Sequence, residues 1–377
     1  MIHFAIGTKA QLIKTTPLMR CLDERGIEYR YIDLGGHAET TRKFRAALEL
    51  RDPDAYVTSR NSKDVATLPG AVVWSWQVLW RTLRNRRRTF TQVFGGSGGV
   101  CVVHGDTLST LFGLLAAKRA GIRVVHLESG LRSRTWLHPF PEEIIRLLCM
   151  RFSDDLVAST DWAYENLLSM GYTDRVLRIH GNTGAEAFWD VMEGTGTPEP
   201  KTDPYALVCI HRFETIMSRS RLSLLVNALV DMSPGRRICF VLHEPTHRRL
   251  ARQDLLQKLR DHGVELTPLS PYPEFLRKLR DADFVVTDGG SVQEECSYLG
   301  TPCFLFRKRT ERQDGLGQNV VLGGLDSSTL LSFAEGFQEY RTEPTHLENH
   351  ASKELVDILM SAGYAEDSNG DTRIEPA

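Results

Sequence analysis

The strongest constraint on the fold of this chain is a repeated alternation between short apolar runs and longer amphipathic segments. The run IHFAI is followed by a segment of helical length, Lys9 to Arg25, and then by the apolar run YRYIDL. The same order returns where GVCVVHGD precedes Thr107 to Arg119 and then IRVVHLES. Short apolar runs that alternate with amphipathic segments predict βαβ units around a parallel sheet.

The second half of the chain repeats this pattern with the apolar runs YALVCIH, RRICFVLH, ADFVVTD and PCFLF. Between the halves, Glu193 to Pro204 is rich in Gly, Pro and Thr and has no apolar periodicity, which is typical of a linker. At 377 residues the chain also exceeds the usual size of a single hydrophobic core. We therefore predict an α/β protein with two Rossmann-like, doubly wound domains that face a central cleft.

The predicted domain boundaries follow from the position of the linker. Residues 1–192 form the first domain and residues 193–350 the second. Residues 351–377 are expected to form a carboxy-terminal helix that packs back on the first domain, followed by a frayed tail.

Composition and charge indicate which kinds of binding partner and which cellular compartment to expect. A formal net charge of -2 gives no indication of nucleic-acid binding. The seven cysteines are scattered without a CxxC pair, which predicts buried thiols in a reducing compartment. No apolar stretch approaches the length of a membrane span, and the amino terminus lacks the pattern of a secretory leader. We expect a cytoplasmic protein with no membrane or nucleic-acid partner and, independently of its composition, a homodimer.

Polar residues in the first half collect where predicted strands end, which is where open parallel sheets bind ligands. The segment HGDT places Asp106 at one strand end, HLESGLR places Glu128 at another, and PFPEEIIR adds Glu142 and Arg146 at a helix start. Asp106 also suits a plain helix-capping role. Three carboxylates in one cleft repel one another, however, so their convergence indicates an acid and base set.

The second half offers groups that suit a nucleotide. CIHRFET places His211 and Arg212 at a strand end, and TDGGSVQEE places the start of a helix at Gly290, where backbone N–H groups favour an anion. Glu294 and Glu295 follow one turn later, where they can accept hydrogen bonds from ribose hydroxyls. A basic cluster that suits a diphosphate comes from FRKRTERQDG, namely Arg307, Lys308, Arg309 and Arg312.

One apparent metal motif is set aside. The letters HEPTH, from His243 to His247, match the HExxH pattern of zinc proteases. That pattern needs both histidines on one helix, whereas His243 ends a predicted strand and Pro245 disfavours helix at the residue before it. We therefore expect neither a metal site nor a cofactor.

Taken in order, these segments resemble the bacterial UDP-N-acetylglucosamine 2-epimerases, which have the two-domain glycosyltransferase-B fold. The match runs through GTKAQLIKTTPLM, HGDT, HLESGLR, PFPEEIIR, HGNT, IHRFE, HEPT, PLSPYPEF, TDGGSVQEE, LGTPCFLFR and TERQDG. It covers most of the chain apart from the tail, and ordered motifs over such a length are more specific than any one of them.

The resemblance implies a set of site residues. The implied catalytic residues are Asp106, Glu128, Glu142 and His211. The substrate-binding residues are Lys9, Lys14, Arg146, Arg212, His243, Phe275, Gly290, Ser291, Glu295 and Arg312. In the family, such a site expels UDP with loss of the carbon 2 proton and so forms a glycal, to which UDP then returns; no metal is required.

The implied activity is that of an isomerase that interconverts UDP-N-acetylglucosamine and UDP-N-acetylmannosamine through a 2-acetamidoglucal. Two alternatives stay open, a hydrolysing 2-epimerase that releases N-acetylmannosamine and UDP, and a glycosyltransferase of the same fold. The opening GTKAQ matches neither the GTRPE of most of the family nor the GTRAD of its hydrolysing branch.

Overall fold

A computed structural model describes residues 1–65, 67–135, 141–194, 203–347 and 349–364. Two compact units divide the chain, one made of Met1–Ala187 with the segment that starts at Glu348, the other of Phe188–Leu347. Most of the predicted linker, 195–202, and the predicted tail, 365–377, lie outside the described residues. Among the described residues, none of the helices combines the length and the apolar character that crossing a membrane requires.

The first unit is built on a seven-stranded sheet with the order β3-β2-β1-β4-β5-β6-β7. Its strands are β1 (Ile2–Ile6), β2 (Tyr29–Asp33), β3 (Ala55–Tyr56), β4 (Val100–His104), β5 (Arg123–Leu127), β6 (Asp155–Ala158) and β7 (Val176–Arg178). Every neighbouring pair is parallel. The order reverses between β1 and β4, which is the position at which doubly wound sheets bind ligands.

Helices connect these strands, as parallel pairing requires. They are α1 (Lys9–Glu24), α2 (Ala38–Ala47), α3 (Leu68–Leu83), the short α4 (Arg86–Arg88) with a π-helical turn (Thr89–Val93), α5 (Leu108–Ala120), α6 (Glu142–Phe152), α7 (Asp161–Ser169) and α8 (Thr183–Glu193). Strands β1 and β4 are buried along their whole length. Burial on both faces explains why these strands are continuous apolar runs in the sequence.

The second unit repeats the plan with six parallel strands in the order β10-β9-β8-β11-β12-β13. The strands are β8 (Tyr205–Ile210), β9 (Arg237–Leu242), β10 (Glu265–Pro268), β11 (Phe284–Thr287), β12 (Cys303–Leu305) and β13 (Val320–Leu322). The helices are α9 (Phe213–Ile216), α10 (Arg219–Met232), α11 (Glu244–Ala251), α12 (Leu255–Asp261), α13 (Tyr272–Asp281), α14 (Gly290–Leu299) and α15 (Ser327–Glu335), with short 3-10 turns at Ser233–Gly235 and Phe337–Tyr340. The strand order reverses between β8 and β11.

The predicted fold class, two doubly wound α/β units, is confirmed. Each apolar run named in the sequence forms a strand of one of the two sheets. The strands that the pattern does not identify are β3, β6, β7, β10 and β13; four of them are sheet edges, and β6 lies next to an edge. The division between the units falls inside α8, upstream of the predicted linker.

The last described helix, α16 (Ala351–Ser361), belongs to the first unit and packs on α1. Asp357 on this helix forms an ion pair with Arg25 at the end of α1. The amino group of Met1 donates a hydrogen bond to the carbonyl oxygen of Tyr364 at 3.0 Å. The carboxy-terminal helix therefore completes the core of the first unit, although it is distant in sequence.

A buried amide holds together two turns at the centre of the first sheet. Gln11 is the third residue of α1 and caps this helix together with Thr8. Its Oε1 accepts hydrogen bonds from the N–H of Gly7 at 2.9 Å and from Ser109 Oγ at 2.9 Å. Its Nε2 donates to the carbonyl oxygen of His104 at 2.9 Å and to Thr110 Oγ1 at 2.9 Å. The turn after β1 is thereby fixed to the turn after β4, which carries Asp106.

We expect Gln11→Ala to destabilise the protein by about 2 kcal/mol or more, because it leaves several buried polar groups without their partner. Chemical denaturation, followed by tryptophan fluorescence, measures the change. Gln92→Ala is the matched control, since Gln92 is exposed and its amide oxygen accepts a single bond from Arg88. Equal stability of the two variants would show that the buried network contributes little.

Candidate active site

Two carboxylates of the first unit follow neighbouring strands of the sheet. Strands β4 and β5 pair with His104 opposite Leu127, so Glu128 and the turn at Gly105 and Asp106 follow at the same edge of the sheet. A β-carbon built on Gly105 would lie 3.4 Å from Glu128 Oε2. Glu128 and the turn that carries Asp106 therefore lie at one edge of the sheet, and the convergence of the three predicted carboxylates stays a prediction.

Glu128 combines a strained backbone with a neutralised side chain. Its φ is 61°, in the left-handed region that non-glycine residues adopt at a cost of about 1–3 kcal/mol. Its Oε1 lies 2.7 Å from Lys14 Nζ, and its Oε2 lies 3.8 Å from His104 Nδ1. Side chains of both Glu128 and Lys14 are nearly buried, with 11% and 10% exposed. Local strain around a buried charge pair at a strand end is typical of a functional position.

Asp106 is held by a buried guanidinium. Arg146 on α6 is only 1% exposed and forms ion pairs with both Asp106 and Glu143. Glu143 is itself fully buried and accepts further hydrogen bonds from Arg132 Nε at 2.7 Å and from the N–H of Ser133 at 3.1 Å. About a quarter of the Asp106 side chain, 26%, stays exposed. Asp106 is therefore fixed from one side and accessible from the other.

Two further residues support this arrangement and are not among the assigned catalytic or substrate-binding residues. Glu143 lies next to the predicted Glu142. Its position in the sequence does indicate burial, because Glu143, Arg146 and Met150 have the spacing of one helix face, and this face of α6 is buried. His126 is fully buried, and burial lowers its pKa to about 4, so the ring is neutral at pH 7. Its Nε2 donates to the carbonyl oxygen of Gly105 at 2.7 Å, since a carbonyl can only accept. This bond fixes the turn that carries Asp106.

The other predicted residues of the first unit are Lys14, Lys9 and Glu142, and each has a different environment. Lys14, which the resemblance assigns to UDP, pairs with Glu128 in the acid set. Lys9 is the first residue of α1, and its ammonium lies 4.5 Å from the centroid of the Phe44 ring on α2. Glu142 is the first residue of α6 and is partly exposed. The roles of these residues stay predictions.

In the second unit, Asp288 shapes the loop that carries two predicted residues. This aspartate follows β11, is fully buried, and accepts hydrogen bonds from the N–H of His211 at 2.9 Å and of Arg212 at 3.1 Å. The His211 ring stacks on the His243 ring with 4.8 Å between centroids. A β-carbon on Gly289 would lie 2.4 Å from His211 Cε1, so only glycine leaves room for this ring.

Arginines gather around the start of α14. Arg212 and Arg307 share Glu311, at 2.9 Å and 2.8 Å from its two oxygens, and Arg312 lies 3.1 Å from Glu294 Oε2. Arg312 also covers the helix start, because a β-carbon on Gly290 would lie 3.1 Å from its Nε. In these ion pairs, three arginines and the positive end of a helix face two carboxylates, Glu294 and Glu311, so positive charge is in excess here. This arrangement therefore favours binding of a phosphate or diphosphate.

The remaining predicted residues of the second unit differ in accessibility. Phe275 is buried in α13, whereas Ser291 is exposed on the first turn of α14. Glu295 Oε1 accepts a hydrogen bond from the Tyr272 hydroxyl at 2.9 Å. Of the predicted basic cluster, Arg307 and Arg312 are buried near the helix start. The other two members, Lys308 and Arg309, are exposed.

Solved structures of similar fold define the class of protein as nucleotide-sugar enzymes of the glycosyltransferase-B type. A UDP-N-acetylglucosamine 2-epimerase from Methanocaldococcus jannaschii, solved in complex with UDP-GlcNAc and UDP, is 27% identical to this chain. The alignment covers 96% of this chain and 99% of that chain, with a TM-score of 0.82.

The family follows from the sequence match. The family model described as UDP-N-acetylglucosamine 2-epimerase matches residues 20–360, and the chain belongs to this family of isomerases. A UDP-N-acetylglucosamine 2-epimerase from Methanococcus maripaludis is 29% identical over 89% of this chain and 90% of its own length. A UDP-2,3-diacetamido-2,3-dideoxy-D-glucuronate 2-epimerase from Pseudomonas aeruginosa is 32% identical over 59% of this chain and 63% of its own length. The family expected from the ordered motifs is thereby confirmed.

We expect Glu143→Gln to destabilise the protein by about 3 kcal/mol, because it leaves the buried Arg146 guanidinium with less compensating charge. Thermal and chemical denaturation of the purified variant measure this effect. Glu165→Gln serves as the control, since Glu165 lies exposed on α7 of the same unit. Wild-type stability of the Glu143 variant would contradict the proposed charge balance.

Proposed function

We propose that this protein is a UDP-N-acetylglucosamine 2-epimerase that interconverts UDP-N-acetylglucosamine and UDP-N-acetylmannosamine. The observation that carries the proposal is the pair of carboxylates Asp106 and Glu128, at the same sheet edge and each held by its own buried cation. Membership of the 2-epimerase family supports the same activity. The chemistry would proceed by elimination of UDP and its re-addition through a 2-acetamidoglucal.

The second unit is proposed to bind the nucleotide and to stabilise the leaving diphosphate. Departure of UDP moves the electrons of the bond between carbon 1 and oxygen onto the diphosphate. Arg312 and the backbone N–H groups at the start of α14 would stabilise this charge, as preorganised donors do. The resemblance further assigns His211 to the region of the diphosphate and sugar, and Phe275 and Glu295 to the nucleotide.

The first unit is proposed to perform the proton transfers at carbon 2. The hydrogen on this carbon is not acidic in itself, so positive charge must develop at carbon 1 while a carboxylate removes the proton. The electrons of the broken C–H bond then form the double bond of the glycal. Inversion requires that a proton return from the opposite face of the ring. Asp106, Glu128 and Glu142 supply the carboxylates, and Lys14 and Arg146 keep the first two in place.

The choice of sugar nucleotide is part of the proposal. The relatives include a 2-epimerase named for a diacetamido glucuronate sugar, but that match covers a smaller share of this chain than the match to the Methanococcus enzyme. We therefore propose N-acetylglucosamine as the sugar. A hydrolysing enzyme would release free N-acetylmannosamine and UDP, and a transferase would need an acceptor, so product analysis by NMR separates all three.

We further propose that the enzyme is a cytoplasmic homodimer. All seven cysteines are buried and without disulfide bonds, as expected in a reducing compartment. Helix α3 presents an apolar face to solvent through Val72, Val73, Trp76 and Trp80, which are 69%, 55%, 61% and 48% exposed. An exposed face of this kind is typical of a protein interface.

The acid and base assignment predicts the fate of the carbon 2 hydrogen. During turnover in D2O, the product should carry deuterium at carbon 2, because a carboxylate exchanges its proton with solvent before returning it. Asp106→Asn and Glu142→Gln should each lower turnover by about 10²-fold or more and leave UDP binding intact. Arg312→Ala should weaken UDP binding directly.

NMR of the product and calorimetric titration with UDP measure these effects. Asp174→Asn and Glu165→Gln are matched controls, since both residues are exposed in the same unit. Protium at carbon 2, or normal rates in both carboxamide variants, would rule out this assignment.

Loss of the α3 face should dissociate the dimer. The Trp76 and Trp80 rings stack with 5.5 Å between centroids, so Trp76→Glu removes the centre of the exposed face. Since buried tryptophans often contribute about 2 kcal/mol or more to an interface, we expect a dimer at least about 10-fold weaker. Sedimentation velocity measures it, with Leu168→Glu on α7 as the control. A monomeric wild-type protein would overturn the proposal.

A further inference from the structure

Three groups that bind soft metal ions converge in the second unit. Cys209 belongs to β8, and His211 follows directly after the last residue of this strand, Ile210. Strand β9 pairs in register with β8, with Cys209 opposite Val241 and Ile210 opposite Leu242. Continuing this register brings His211 opposite His243. One ligand atom from each of the three residues lies within 4.8 Å of the other two.

One of these distances matches tetrahedral coordination. With Zn–S near 2.3 Å and Zn–N near 2.1 Å, a sulfur and a nitrogen on one zinc ion lie about 3.6 Å apart. Cys209 Sγ lies 3.6 Å from His243 Nε2. The His211 side chain is 35% exposed, and its ring completes the set by turning out of its stack on the His243 ring toward solvent.

The buried carboxylate of Asp288 lies near His211, one of the three residues. Asp288 Oδ1 lies 3.8 Å from His211 Nδ1, and this aspartate is fixed by two backbone N–H groups. Zinc-binding histidines commonly direct their second ring nitrogen to such a carboxylate, which orients the ring and makes it a better ligand. The orientation leaves His211 Nε2 as the nitrogen turned away from Asp288.

We propose that Cys209, His211 and His243 form a binding site for a zinc ion. The thiol of Cys209 loses its proton to solvent as the sulfur–zinc bond forms, and a water molecule takes the fourth position. The thiolate selects zinc over magnesium, which prefers oxygen ligands. The site shares only His243 with the HEPTH motif, whose second histidine, His247, is not one of the three ligands.

The ion would act as an inhibitor. Zinc on His211 and His243 takes two side chains that the enzyme needs for its nucleotide sugar, so Zn²⁺ and UDP compete. This consequence rests on the proposed function, whereas the binding of zinc does not. The site thus gives the enzyme a reversible inhibition by zinc, in which the ion takes no part in the reaction.

Binding is tested by titrating the metal-free full-length protein with Co²⁺, a spectroscopic substitute for zinc. We expect one equivalent of Co²⁺ to produce a thiolate-to-cobalt charge-transfer band that Zn²⁺ abolishes. Cys209→Ser and Cys209→Ala should both lose the band. Cys239→Ser should keep it, because the Cys239 thiol on β9 lies beside Thr267 at 3.6 Å. Absence of the band in the wild type, or its persistence without Cys209, would overturn the proposal.

Inhibition is tested with the same variants. Cys209 has no role in the proposed reaction, so Cys209→Ser should retain turnover while its sensitivity to Zn²⁺ falls by about 10-fold or more. A chelator should restore the wild-type rate. Equal inhibition of the wild type and of Cys209→Ser would place the ion elsewhere and refute the site. If the protein lacked epimerase activity altogether, the cobalt titration would still decide whether the site binds metal.

Discussion

The need to compensate buried charge governs the polar parts of both units. A single guanidinium or carboxylate removed from water costs several kcal/mol, so each one must meet an opposite charge. Arg146 meets Asp106 and Glu143, and Glu311 meets two arginines. These pairs restrict each side chain to one position. The candidate site residues are therefore held in place by the fold before a ligand binds, which is the preorganisation that catalysis requires.

Strand ends are readable from the sequence for a physical reason. Strands buried on both faces leave continuous apolar runs, and the first polar residue after such a run marks the end. Glu128, His211, His243 and Asp288 each follow a strand directly, as the runs indicate. The fold class, and the strand-end positions of several candidate residues, are thus accessible without a structure. The ordered motifs add the family.

Pairings between distant residues are not readable in this way. Glu142 and Glu143 are adjacent, and only the burial of one face of α6 shows that Glu143 meets Arg146. Lys14 lies 114 residues from its partner Glu128, and Gln11 lies 93 residues from the carbonyl of His104. Local periodicity reports local structure, whereas these contacts depend on the order of strands in the sheet.

The backbone of Glu128 places two demands on one position. Glycine adopts a left-handed conformation without the clash of a β-carbon, so the fold alone favours glycine where φ is 61°. The chain has a glutamate at this position instead, and its backbone is strained. Stability and chemistry therefore oppose each other at this residue. Selection for a more heat-resistant form of the protein would tend to remove the carboxylate that the proposed reaction uses.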